Sequence, residues 1–538
     1  MKIPREYAKE HQYRPSPTHG GKAMEPLPRD YNATTDLIER NLREGRGAKV
    51  AIRGIWGEQP YGQLATRMNQ AGNALLQLGM EMEQRVILCM LDGPDFPAVF
   101  WGAIKAGVVA IPVNTLLSTK EYDYLLRDSR ARTLVVSKDL LPKFEPILPD
   151  QPFLKHVIVA EASPGEASQY QHLDSLLHSS STELKAAATC CDDVAFWLYS
   201  SGSTGMPKGA IHLHSHLRYT ADLYGQQVLG IRPDDVVFSA AKLFFAYGLG
   251  NSMTFPYSVG ATTVLMSERP TPASVMKVLQ EYQPTLFFGV PTLFAAILGD
   301  PANDRSRGSS RLRLCVSAGE ALPKGIGERW RERFGVDILD GLGSTEMLHI
   351  FLSLRPDDIR YGTSGKPVPG YELSIVDEDD RPVPAGQLGE LKVRGPSSAM
   401  AYWNNRSKSR ATFRGEWTFT GDKYLQDEQG YFVYSGRSDD MLKVSGQWVS
   451  PIEIESALIA HPQVLEVAVV GKADENQLIK PQAFVVLKQG HQSSSTLAEE
   501  LKQFVKSRLA PHKYPRWVQF LESLPKTATG KIQRYKLR

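Results

Sequence analysis

Between about residues 50 and 400 the chain alternates short apolar runs with amphipathic stretches. The runs are RVILCML (85–91), GVVAIPVN (107–114), TLVVS (133–137), HVIVA (156–160), TTVLM (262–266) and TLFFGV (285–290), with helical periodicity between them at 62–78 and 273–282. That alternation predicts an α/β body with largely parallel strands. A further run, DVAFWL (193–198), predicts a buried strand feeding a loop. The pattern changes near the end. Ser450-Pro451-Ile452-Glu453 predicts a helix start, with Ser as N-cap, Pro in the first turn and Glu as the returning partner. Strands are expected at EVAVVG (466–471) and QAFVVL (482–487), then a helix capped by Thr496 and Glu499 with an apolar face of Leu501, Phe504, Val505 and Leu509.

The expected fold class is therefore α/β: a large N-terminal body of several subdomains (1–436) with mixed and parallel sheets, and a small mobile α+β domain (442–538). The polar stretch SGRSDDMLKVSGQWVS (435–450) holds the boundary, with a hinge at 437–441. Residues 1–30 are polar, with scattered Pro and Gly, and predict an extended arm on the body. At 538 residues the chain exceeds one ordinary core.

Composition narrows the class further. Net charge is +3, from 62 basic and 59 acidic residues, so no global field points to nucleic acid or membrane and anion binding must be local. Cys89, Cys190, Cys191 and Cys315 are too few and too irregularly spaced for a disulfide framework or a zinc site. No signal-peptide core or long apolar run is present, and a cytoplasmic enzyme is expected.

The chemistry concentrates in a few small-residue segments. Residues 199–209, YSSGSTGMPKG, gather four hydroxyls (Ser200, Ser201, Ser203, Thr204), three glycines (Gly202, Gly205, Gly209) and one cation, Lys208. Glycines let backbone N–H groups approach a ligand, hydroxyls add donors and lysine adds charge, a set that suits phosphate. It is not a Walker A loop, because Met206 and Pro207 separate Gly205 from Lys208 and no Ser or Thr follows the lysine. By composition alone it also fits a surface loop. In DGLGSTEMLHI (340–350), Thr345 can donate to a phosphate oxygen and Glu346 can help hold Mg²⁺; a turn with Ser344 or Thr345 capping a helix is the alternative. SAGEALP (317–323) can let an adenine lie against backbone. Asp422 in TGDKY and Arg437 in SGRSDD suit ribose hydroxyls or phosphate, or are solvated turn charges. LPKTATGKIQR (524–534) places Lys531 in a small-residue loop.

In order and spacing, these five motifs resemble those of the adenylate-forming superfamily: acyl-CoA synthetases, adenylation domains of peptide synthetases, and luciferases. The resemblance implies that Ser200, Ser201, Gly202, Ser203, Thr204, Gly205 and Lys208 cradle the ATP phosphates, and that Gly319, Glu320, Asp340, Gly341 and Leu342 line the adenine. Many relatives carry Tyr where this chain has Leu342, so adenine is expected on an aliphatic face. It implies Thr345 and Glu346 at the phosphate and magnesium positions, Asp422 and Arg437 at the ribose, Asp439 as hinge and Lys531 as catalytic lysine. After a domain rotation, Lys443, Ser445, Gly446 and Gln447 are expected to line a tunnel for the thiol of coenzyme A.

The segments KLFFAYGLGNSMTFP (242–256), STEMLHIFLS (344–353), SVGATTVLM (258–266) and the C-terminal ending look like the benzoate–CoA ligase family in particular. Many superfamily members have histidine where this chain has Phe245. The resemblance implies that Ala246, Tyr247, Gly343, His349 and Ile350 surround an aromatic ring beside Phe245; ordinary core aromatics and a satisfied core histidine are the alternatives. The expected activity is an ATP-dependent aryl acid–CoA ligase, with benzoate favoured because no extra polar side chain is evident for a ring hydroxyl. A hydroxybenzoate or aminobenzoate ligase, or an enzyme loading an aryl acid onto a carrier protein, are the alternatives. Expected partners are the aryl acid, ATP with Mg²⁺, and coenzyme A, without nucleic acid or membrane; a homodimer is carried as an expectation only.

Overall fold

A computed structural model describes residues 26–162, 166, 169–202, 205–437, 440–444, 447–475, 478–510, 513–526 and 532–538. Ser203, Thr204, Asp439, Ser445, Gly446, Lys531 and most of the expected N-terminal arm lie outside the described residues.

Two large sheets organise the body. In the first, the strands Ile338–Gly343, Leu314–Ala318, Leu286–Gly289, Val236–Ser239, Thr262–Val264 and Val50–Gly54 run parallel, with Ile350–Ser353, Lys366–Pro367 and Gly57–Pro60 antiparallel at the edges. In the second, Gln171–His172, His156–Ala160, Thr133–Ser137, Arg85–Cys89, Val109–Pro112 and Val194–Gly202 are parallel, and Gly205–Leu213 closes the edge antiparallel. The central strands are buried on both faces, which is why they read as unbroken apolar runs rather than alternating patterns.

The helices Tyr61–Gln77 and Asp95–Lys105 share one core with strands of both sheets, through Leu64, Met68, Phe100, Ile52, Val86 and Phe196. They cross closely. A Cβ on Gly102 would lie 2.6 Å from the Met68 carbonyl oxygen and 2.8 Å from the Gly72 nitrogen, so only glycine fits.

A third sheet, antiparallel, is built from Glu372–Val376, Gly389–Arg394, Trp417–Gln426, Phe413–Arg414 and Phe432–Arg437. The last segment carries the hairpin Leu442–Val444 with Gln447–Val449, and the sheet Val464–Ala473, Ile479–Leu487, Trp517–Phe520 covered by the helices Pro451–Ile459 and Ser495–Lys506.

Several local expectations change. The strand starting at Val194 does not give way to a loop at Tyr199 but continues to Gly202, and its partner begins at Gly205, so the phosphate segment is a β-hairpin. No helix follows Ser344: residues 344–349 form a turn between antiparallel strands, with Leu348 at φ 64° and the Ser344 hydroxyl accepting from the Met347 N–H. Ser450 caps its helix as expected, accepting from the Glu453 N–H, but the Glu453 carboxylate pairs with Lys513 at 2.7 Å rather than returning to the cap. The next helix is capped by Ser494, whose hydroxyl accepts from the Leu497 N–H, and not by Thr496. Serine two positions earlier wins because it alone has the extended backbone a cap requires.

Ser494→Ala should lower the local stability of the Ser495–Lys506 helix by about 1 kcal/mol, while Thr496→Ala leaves it nearly unchanged. Amide hydrogen exchange across 497–505 reads the difference directly.

Candidate active site

Parallel sheets bind ligands at the carboxyl ends of their strands. Here the segment 240–247 follows Val236–Ser239, Gly319 and Glu320 follow Leu314–Ala318, and 344–347 follow Ile338–Gly343. Since these strands belong to one sheet, three segments far apart in sequence emerge on one edge.

The 344–347 turn is gripped by consecutive carbonyls. The Thr345 oxygen accepts from His212 Nε2 at 2.8 Å, Glu346 O from the Ala399 N–H at 2.7 Å, and Met347 O from the Ser397 hydroxyl at 2.7 Å. His212 is fully buried on Phe196, and burial pushes its pKa down to about 4, so the ring is neutral and its Nε2 carries the hydrogen. The Glu346 carboxylate accepts the Tyr402 hydroxyl at 2.6 Å. Tyr402 itself lies along the phosphate hairpin: Trp403 N–H donates to Gly209 O, and Ile211 N–H to Ala401 O.

Lys208 rises from that hairpin with its ammonium 4.6 Å from the Tyr402 ring centroid. Burial lowers its pKa, and the Glu346 charge opposes the shift. Ser200 Oγ is buried without a hydrogen-bond partner among the described residues, a donor left available.

Asp422 and Arg437 are not separate turn charges. They face each other across the strands Trp417–Gln426 and Phe432–Arg437, with Arg437 Nη1 donating to Asp422 Oδ1 at 3.1 Å. The Asp422 charge holds the guanidinium pKa above its ordinary value. The pairing places one acceptor and one donor side by side, which suits a ribose diol next to a phosphate.

Asp340 is buried, and its Oδ2 accepts from the Leu322 N–H at 3.3 Å, tying the 319–322 turn to the neighbouring strand. Burial lifts its pKa to about 7. Leu342 is half-buried and Gly319 exposed. Glu320 accepts at 3.2 Å from the N–H of Ile532, the residue after Lys531, so the C-terminal segment reaches this edge of the body.

Phe245, Ala246, Tyr247 and Gly343 are half-buried, while His349 and Ile350 are buried. The Tyr247 hydroxyl is 3.1 Å from Val316 O and 3.3 Å from Gly289 O, so its hydrogen is directed to backbone. His349 Nε2 lies 3.3 Å from Tyr247 O and 3.1 Å from Asn251 Oδ1, and burial pushes its pKa down to about 3. Since both neighbours accept, Nε2 carries the hydrogen and Nδ1 keeps a lone pair without a partner among the described residues. A Cβ on Gly343 would meet the His349 carbonyl oxygen at 2.8 Å, so the strand crossing here needs glycine.

Sequence reasoning missed His212, Tyr402, Ala399, Ser397 and Asn251. IHLHSH (211–216) was visible, but His212 and Thr345 are 133 positions apart and Tyr402 and Glu346 56 apart, distances no local pattern spans. Lys443 and Gln447 lie in the paired strands Leu442–Val444 and Gln447–Val449. Among the described residues no group of three or more His, Cys, Asp or Glu is placed to hold a metal, and no helix is long and apolar enough to cross a membrane.

The 199–209 hairpin, the gripped Thr-Glu turn and the Asp422–Arg437 pair lie on three different sheets, and the first two are joined through His212 and through Tyr402. Residues 38–403 match the AMP-binding enzyme model and residues 453–531 its C-terminal domain model, so the chain belongs to the AMP-binding, adenylate-forming enzymes. It is 59% identical to the benzoate–CoA ligase of Thauera aromatica over 514 residues, covering 95% of this chain and 96% of that one. It is 51% identical to the 4-hydroxybenzoate–CoA/benzoate–CoA ligase of Rhodopseudomonas palustris, covering 95% and 94%. The crystal structure of a benzoate CoA ligase from Burkholderia xenovorans LB400 superposes with a TM-score of 0.88 at 50% identity, covering 94% of this chain and 100% of that one.

The buried histidines set a pH dependence. His212 and His214 are held at about 4 and His349 at about 3, against an ordinary 6.5, so between these values the unfolded chain binds more protons. Stability therefore falls as pH drops from about 6.5 towards 4, partly offset by Asp340, whose raised pKa works in the opposite sense. His214→Gln should flatten the fall of the unfolding midpoint by about one proton's slope; an unchanged slope would contradict the assignment.

Proposed function

We propose that this protein is an ATP-dependent benzoate–CoA ligase, forming benzoyl-AMP and pyrophosphate, then benzoyl-CoA and AMP. The observation that carries the proposal is the 59% identity to a benzoate–CoA ligase along nearly the whole chain. A carboxylate is a poor acyl donor because its leaving group would be oxide, and adenylation supplies AMP instead.

In the first half-reaction a benzoate oxygen attacks the α-phosphorus and pyrophosphate leaves. Ser200, Ser201, Gly202, Ser203, Thr204, Gly205 and Lys208 hold the phosphates, Thr345 donates to them, and Asp422 with Arg437 holds the ribose. Gly319, Glu320, Asp340, Gly341 and Leu342 frame the adenine. Lys531 bridges the carboxylate and α-phosphate oxygens, offsetting their repulsion and stabilising developing charge. The contact of Ile532 with Glu320 supports its arrival there.

Glu346 fits a magnesium ion delivered with ATP: one carboxylate beside a phosphate cradle is the donor set this ion takes, the remaining ligands being phosphate oxygens and water. Bound there, the ion neutralises phosphate charge.

In the second half-reaction the thiolate of coenzyme A attacks the acyl carbonyl and AMP departs. A rotation of the small domain about Asp439 withdraws Lys531 and brings Lys443, Ser445, Gly446 and Gln447 to the thiol path.

Phe245, Ala246, Tyr247, Gly343, His349 and Ile350 form the aryl slot. Tyr247 directs its hydroxyl to backbone and Ile350 is apolar, which supports an unsubstituted ring. A hydroxybenzoate or aminobenzoate is the second reading, favoured by the unpaired His349 Nδ1, an acceptor for a ring donor. One such substituent changes the preference by about 1–3 kcal/mol, or 10- to 200-fold.

With ATP, coenzyme A and a panel of benzoate, hydroxybenzoates, aminobenzoates and a fatty acid, the protein should release AMP and thioester with benzoate at the highest kcat/KM. Equal turnover of the fatty acid, or none with any benzoate, would sink the assignment. Lys531→Ala should slow benzoyl-AMP formation by about 10²–10³-fold while sparing thioester formation from supplied benzoyl-AMP. Equal loss in both halves would remove the alternating role.

A further inference from the structure

We propose that Tyr402 is a positioning residue for nucleotide binding: its phenol fixes the Glu346 carboxylate in the orientation a phosphate-borne divalent cation requires. The inference rests on the reading of Glu346 as the carboxylate that receives that cation. Glu346 sits in an irregular turn whose backbone is gripped on three carbonyls, but those bonds leave its side-chain torsions unset. The Tyr402 hydroxyl supplies the missing constraint, donating to Oε1 at 2.6 Å. It engages one oxygen of the two, and a carboxylate so held still has lone pairs to offer a cation.

The phenol is itself on a firm base. Tyr402 is 4% exposed, its backbone N–H donates to the Ser409 hydroxyl at 3.0 Å, its ring packs on Phe413 with centroids 5.2 Å apart, and it bridges to Ala210 of the phosphate hairpin.

The same ring carries the Lys208 ammonium at 4.6 Å from its centroid. One side chain thus spaces the phosphate cation and the metal carboxylate. Without it, the two opposite charges have a direct route to each other, and their pairing would compete with both phosphate and cation. Partners of this kind around metal ligands typically change metal affinity by about 10–100-fold.

The test measures binding without turnover, by titrating ATP into the protein in the absence of acid and coenzyme A, once with excess Mg²⁺ and once with EDTA. Tyr402→Phe keeps the ring under Lys208 and removes only the hydroxyl. The wild type should bind MgATP more tightly than metal-free ATP. Tyr402→Phe should lose about tenfold of that Mg²⁺-dependent advantage with metal-free affinity unchanged. The double variant Tyr402→Phe/Glu346→Gln should be no weaker than Glu346→Gln alone. An unchanged thermal midpoint for Tyr402→Phe confirms an intact fold. If Glu346→Gln abolishes the advantage but Tyr402→Phe retains it, or weakens both ATP forms equally, the positioning role is overturned and the metal role of Glu346 stands. If Glu346→Gln keeps the full advantage, the metal role itself falls, and the inference with it.

Discussion

Three successive carbonyls of the 345–347 turn are hydrogen-bonded to three different parts of the chain: His212, Ala399 and Ser397. The turn also closes on itself, with Leu348 N–H donating to Thr345 O at 3.2 Å, His349 N–H to Met347 O at 2.8 Å and Met347 N–H to the Ser344 hydroxyl, and Leu348 adopts a left-handed conformation to complete it. Its geometry is therefore set jointly by its own bonds and by these outside donors. Burial keeps His212 neutral, with its Nε2–H given to the Thr345 carbonyl and its Nδ1 3.2 Å from His216 Nδ1. The 199–209 hairpin and the 397–403 segment run side by side, His212 on the one and the two other donors on the other.

Charge at this edge is balanced by pairs with separate tasks. Lys208 lies above the Tyr402 ring, Glu346 takes the phenol hydrogen, and Arg437 pairs with Asp422 across two strands. A chain with net charge near zero thus gathers cations and polar donors locally. Around Tyr247 the polar atoms are mostly occupied by the protein itself: its hydroxyl faces Gly289 O and Val316 O, and His349 Nε2 faces Tyr247 O and Asn251 Oδ1, while His349 Nδ1 keeps no partner among the described residues.

Much of the fold was legible because buried parallel strands are continuous apolar runs. TLVVS and HVIVA correspond residue for residue to the strands Thr133–Ser137 and His156–Ala160. The structure of residues 199–209 was not legible. Gly and Ser predict a loop, whereas backbone pairing between Tyr199 and Gly209, and between Ser200 and Lys208, extends the strands almost to the tip. Sheet hydrogen bonding overrode local propensity, as it often does. The Thr496 cap failed for a related reason: capping depends on backbone conformation, and Ser494 holds the extended one. Asp422 and Arg437 looked like independent turn charges because each follows a glycine, and only strand register made them partners.

By itself the sequence determined the α/β alternation, the order of the small-residue motifs and the types of side chain they carry, because apolar periodicity and residue chemistry are local properties. Only the tertiary structure decided which of those side chains meet. The Tyr402–Glu346 bond, the His212 grip on Thr345 and the emergence of three distant segments on one sheet edge all follow from strand order, and strand order is a long-range outcome of packing. The identity of the polar side chains is written in the chain; their distances and directions are set by how two sheets share one core.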